Sequence, residues 1–140
     1  MLKIGSIILS IEAGFQFLVS VLSLLVSLFG KYAPIMRMTF TNEELQALDA
    51  KYVATTKALA IIHNTGAVCA TFLSLVIIWT DLIHGYKWAF WVLLLVGIFG
   101  HAFWFVCDSV IGNQTLKVNS ILTALFLIGI CLAGYGLFMR

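Results

Sequence analysis

Four apolar runs take up most of this chain, and they restrict what it can fold into more than any other feature. They extend roughly from Ile4 to Phe29, Thr56 to Leu82, Trp88 to Ile111 and Leu116 to Phe138. Each holds about 20 or more residues, enough for a helix to cross a bilayer hydrocarbon core of roughly 30 Å. Lipid offers the backbone no water to bond, so such runs must satisfy their own N–H and C=O groups as helices. The expected fold is an all-α integral membrane protein, a four-transmembrane-helix antiparallel bundle that uses the 140 residues as one domain. Charged residues make up 10% of the chain, against about a quarter in ordinary globular domains. No soluble catalytic domain is left over. A net charge of +2, scattered along the chain, gives no reason to expect a nucleic-acid partner.

The first run reads as a true span. It is long, continues through Glu12, and no small-residue cleavage site ends it. Cys69, Cys107 and Cys131 all fall inside apolar runs without C-x-x-C spacing, so they read as small hydrophobic residues.

Connections set the topology. The segments Asp81 to Lys87 and Ile111 to Thr115 are too short to allow anything but antiparallel neighbours for spans two, three and four. The only long connection joins spans one and two and contains the only proline, Pro34. Within it Thr41 precedes Glu44 by three residues, a capping-box pattern that predicts a short amphipathic helix with Leu45, Leu48 and Tyr52 on one face. That helix lies on the membrane surface or extends span two.

Both termini are expected on one face, with Lys3, Lys87 and Arg140. Lys31, Arg37, Lys51, Lys57 and Lys117 fall on the other face with most of the acids. Lysine and arginine counts slightly favour the loop face as cytoplasmic, but the short segments beside the termini are almost purely basic, and we take the termini as cytoplasmic. Asn113-Gln114-Thr115 fits the glycosylation pattern but sits too close to span ends to serve as a site. Trp79, Trp88 and Trp91 cluster near the short His84 turn, where an interfacial belt belongs. Small residues recur at Ser6 and Ser10, at Gly66, Ala70 and Ser74, and at Gly97 and Gly100. Such stripes let helix backbones approach closely, and packing within the chain is the expected use.

The polar residues inside the spans are the candidate site. Glu12 and Gln16 are one turn apart on span one, His63 and Asn64 sit on span two, and Asn119 on span four. On span three, His101, Trp104 and Asp108 are three and four residues apart and so share a helix face. An ionisable group at the bilayer centre costs about 2.5 to 3.5 kcal/mol on insertion scales, so each requires a partner or a purpose. If both faces point inward, one pocket results, with Asp108 near its mouth and His101 deeper. Glu12, His63, His101 and Asp108 are the acid/base candidates, and Gln16, Asn64, Trp104 and Asn119 the ligand-binding ones. The plain alternative is that these groups bond one another across helices and fix register.

Three chemistries fit the pocket. The leading one is binding of a lipid or another hydrophobic small molecule, or of a partner membrane subunit or second copy, without catalysis. The second is a small intramembrane isomerase, cyclase or hydrolase using the acid/base groups on a lipidic or isoprenoid substrate. A third, bis-histidine haem between His63 and His101, rests on two residues alone, so no cofactor is expected. A metal site lacks the paired Glu-x-x-His pattern of carboxylate bundles. A channel or transporter fits less well, since no proline breaks a span and no inverted repeat is visible. In build alone the chain resembles the small DoxX-type membrane proteins, a likeness of architecture that implies no function.

Overall fold

The computed structural model describes every residue except Asn113 and Arg140, so the glycosylation-like pattern lies partly outside the described residues. The helices are α1 (Leu2–Phe29), α2 (Pro34–Thr39), α3 (Asn42–Ala47), α4 (Ala50–Ile77), α5 (Lys87–Val110) and α6 (Leu116–Phe138), with a π-helical turn, Ile78–Leu82, ending α4. Among the described residues there is no strand, and four helices are long and apolar enough to cross a membrane. The protein is thus an all-α four-helix membrane bundle. It divides into two compact units, one made of Met1–Phe15 and Phe72–Arg140, the other of Gln16–Thr71.

All four long helices contribute to the first unit. Its core is Leu2, Leu9, Ala13, Ile78, Leu82, Ala89, Phe90, Leu93, Phe126, Ile130 and Ala133. Lipid supplies no hydrophobic drive between helices, so the contacts depend on close fit. Along α1 and α6 that fit is made by small residues. A Cβ added to Gly5 would lie 2.5 Å from the Ala133 nitrogen and 2.7 Å from the Gly129 carbonyl oxygen, and one on Gly136 would strike the Leu2 nitrogen. Leu2 and Gly136 therefore meet at the end of the unit where α1 begins and α6 finishes. On α5, Gly97 receives the Phe126 ring.

Two of the expected glycine contacts differ. A Cβ on Gly66 or Gly100 would meet nothing within 4 Å. The close seam runs instead through Gly129, Ala133 and Gly136 on α6, which present small side chains at helical spacing.

The second unit holds the latter part of α1, the connecting helices and the first part of α4. Pro34, expected only within a loop, is the first residue of α2, where its fixed φ suits the helix and its missing N–H costs nothing. The capping box forms: the Thr41 N–H donates to Glu44 Oε2 at 2.8 Å and the Glu44 N–H to the Thr41 hydroxyl at 3.3 Å. Leu48, expected inside this helix, ends it in an extended conformation (ψ 139°). Asp49 then caps α4, accepting from the N–H groups of Lys51 and Tyr52 at 2.8 and 3.2 Å. This is why α4 starts at Ala50 rather than Thr56, since hydropathy marks the membrane crossing and not the polar turns before it. The unit packs on Ala33, Met36 and Leu45, so the apolar face of α3 closes a small core.

Candidate functional site

Within the first unit, α1, α5 and α6 bring three polar side chains into one line. His101 Nε2 lies 3.4 Å from Glu12 Oε1, and both residues are buried. The other ring nitrogen, Nδ1, is 3.0 Å from the Thr123 hydroxyl. The ring also lies against Phe126, with centroids 5.0 Å apart. Since Phe126 fills the notch at Gly97, one turn before His101, the notch fixes where the imidazole can sit.

Counting hydrogens orients the imidazole. Thr123 has one hydroxyl hydrogen, which the Asn119 carbonyl accepts at 2.7 Å, so toward His101 the hydroxyl acts as acceptor and Nδ1 carries the hydrogen. Nε2 then faces Oε1, and one proton shared between them would leave the two groups together with zero net charge. A low-dielectric interior favours that arrangement, because a single uncompensated ion would be far more costly.

Asp108 was expected to open to water at the mouth of a shared pocket. It does not. It is 1% exposed, and its carboxylate is taken up by the start of α6. Oδ1 accepts the Thr115 N–H at 3.1 Å and also the Thr115 hydroxyl, while Oδ2 accepts from the Asn119 side-chain amide. Seven residues along a helix is about 10.5 Å, which separates it from His101 by two turns. The short connection explains the capture. Gly112, just past the end of α5, adopts φ +77°, the left-handed conformation that glycine adopts without strain, and turns the chain back onto α6. Asn119 thereby belongs to the Asp108 cluster, linked to His101 only through its own carbonyl and Thr123. Trp104 is half-buried one turn from His101.

The remaining candidates belong to the second unit. Asn64 is buried and its amide approaches the Ser27 hydroxyl at 3.4 Å. Gln16 is half-buried and His63 is exposed. An exposed His63 does not supply the enclosed axial position of a bis-histidine haem, so that option draws no support. Among the described residues no group of three or more His, Cys, Asp or Glu could hold a metal. Sequence reasoning missed Thr115 and Thr123, although Thr115, Asn119 and Thr123 recur every four residues and form a polar stripe on α6.

Compared with protein-family models, curated proteins and solved structures, the chain shows no match.

Proposed function

We propose that the protein is a non-catalytic, multi-pass membrane binding protein in which Glu12 and His101 hold the polar end of an apolar small molecule or lipid. One observation carries this reading, the loose contact between two buried ionisable groups from different helices. Charge-assisted N–H···O bonds settle at about 2.7 to 2.9 Å, and this pair stands at 3.4 Å, so the two groups are not closed on each other as a committed ion pair would be. Groups whose only role is to fix register have no need of ionisable chemistry deep in a span. A carboxyl and an imidazole that share one proton are neutral as a whole, and such a pair suits an uncharged polar end, a hydroxyl or a carbonyl, better than an anion or cation.

An enzyme using the same residues is the second reading, supported by the carboxylate, imidazole and hydroxyl standing in line. Against a hydrolase of that type, the Thr123 hydrogen is committed to the Asn119 carbonyl, so the imidazole is not placed to take it from the hydroxyl. Acid/base work by the pair itself, on an isomerase or cyclase pattern, is what remains of that reading.

The test is solvent extraction and mass spectrometry of protein purified from its native membrane in mild detergent. The reading expects one recurrent apolar species in the wild type and its loss from a folded Glu12→Gln/His101→Gln variant. Wild-type protein that carries no such species, or a variant that keeps it, overturns the proposal.

A further inference from the structure

We propose a second site, at the end of the first unit where α1 begins and α6 finishes: a pocket for the phosphate of an anionic phospholipid headgroup. A depression of about 300 Å³ opens there between the start of α1, the turn joining α4 to α5, and the end of α6. That is about ten times the share of liquid volume one water takes, and enough for a phosphoglycerol group. Lys3 and His84 line it, Leu2, Ile83 and Leu137 form apolar walls, and Gly85 and Gly136 add backbone without side chains.

The glycines explain why the space exists. Gly136 lets the first residues of α1 lie against α6, since a Cβ there would strike Leu2. Gly85 turns the chain at φ +90°, a conformation that favours glycine, and so leaves the rim of the pocket without a side chain.

Charge and level identify the occupant. Lys3 supplies an exposed ammonium, and Lys87 starts α5 beside the same turn, its Nζ 5.4 Å from the centroid of the Phe138 ring. The nearby acid, Asp81, already accepts the Thr80 hydroxyl. His84 Nδ1 is 3.0 Å from the Thr80 carbonyl oxygen, which can only accept, so Nδ1 carries a hydrogen. Nε2 is left for a ligand, accepting from a headgroup hydroxyl when neutral and donating to phosphate when protonated. Trp79, Tyr86, Trp88, Trp91 and Tyr135 are all exposed around this end, which sets it at the headgroup level of the bilayer. A pocket at that level with the Lys3 ammonium and the His84 imidazole on its wall, Lys87 close by, and aliphatic walls continuous with the spans matches a lipid phosphate better than a free one.

Native mass spectrometry of the detergent-purified protein, titrated with dioleoylphosphatidylglycerol or dioleoylphosphatidylcholine, tests this. The protein is expected to bind one phosphatidylglycerol in preference to phosphatidylcholine, and Lys3→Gln and His84→Gln each to weaken phosphatidylglycerol about fivefold. Both side chains are exposed, so the core is untouched. Lys117→Gln, on the opposite face, is the control and should change nothing. Equal binding of the two lipids, or an equal loss in the control, overturns the site. Displacement of the lipid by equimolar inorganic phosphate overturns its assignment to a lipid.

Discussion

Thr115 returns both its backbone N–H and its hydroxyl to one carboxylate oxygen of Asp108, seven residues earlier, and so fixes where α6 starts relative to the end of α5. The relationship assigns a structural part to one of the four ionisable groups that the sequence offered as chemistry.

Replacing Asp108 with alanine strips the half-buried Thr115 N–H and hydroxyl of their acceptor, and leaves the buried Asn119 amide with only the Thr115 hydroxyl at 3.0 Å. Each orphaned group costs about 1 to 3 kcal/mol. Unfolding in mixed micelles should show a loss in that range or above it for Asp108→Ala. A neutral substitution would contradict the assignment.

The two kinds of span glycine should respond in opposite ways to alanine. At Gly5 the new methyl group meets the α6 backbone, which cannot swing aside, and overpacking of this kind costs about 1 to 3 kcal/mol. At Gly66 it meets nothing, so the gain in helix propensity, about 0.5 to 1 kcal/mol, should appear as unchanged or raised stability. Melting temperatures of both variants in one detergent give the comparison.

The α3 cap should be sensitive to acid. The Thr41 N–H, and after it the Thr41 hydroxyl, hold the Glu44 carboxyl below the usual glutamate value. With the folded value lower than the unfolded one, the contribution is present above the unfolded value and fades as pH falls through the folded one. Hydrogen exchange over Asn42–Ala47 should quicken as pH drops from about 6 to about 3, beyond the intrinsic trend. Thr41→Ala, which keeps the backbone N–H and loses only the hydroxyl, should weaken that dependence and cost about 1 kcal/mol of local stability, while Glu44→Ala should remove it. Exchange that keeps to the intrinsic trend in the wild type would refute the cap.

What could be read from the sequence follows from which forces act locally. Span number, the Thr41 cap and the shared face of His101 and Asp108 depend on hydropathy, hydrogen bonds three residues apart and helical spacing, all written in consecutive residues. Which small residues meet which helix is not local. Gly97 meets Phe126, Gly66 meets nothing within 4 Å, and the seam at Gly129 and Gly136 was overlooked because its partner is α1, over a hundred residues away. The polar groups divided for a similar reason. Helical spacing puts Asp108 on the face of His101, but a five-residue connection lets Thr115 and Asn119 capture it before it can join Glu12.

Bound-molecule content per folded protein, measured in parallel for two variants, tests the central claim most directly. If Glu12 and His101 form the binding site and Asp108 the joint between α5 and α6, Glu12→Gln/His101→Gln loses the bound species while still melting cooperatively. Asp108→Ala melts at a lower temperature but keeps the species in whatever fraction stays folded. The opposite pattern, with content kept in the first variant and lost from folded molecules of the second, would contradict the account.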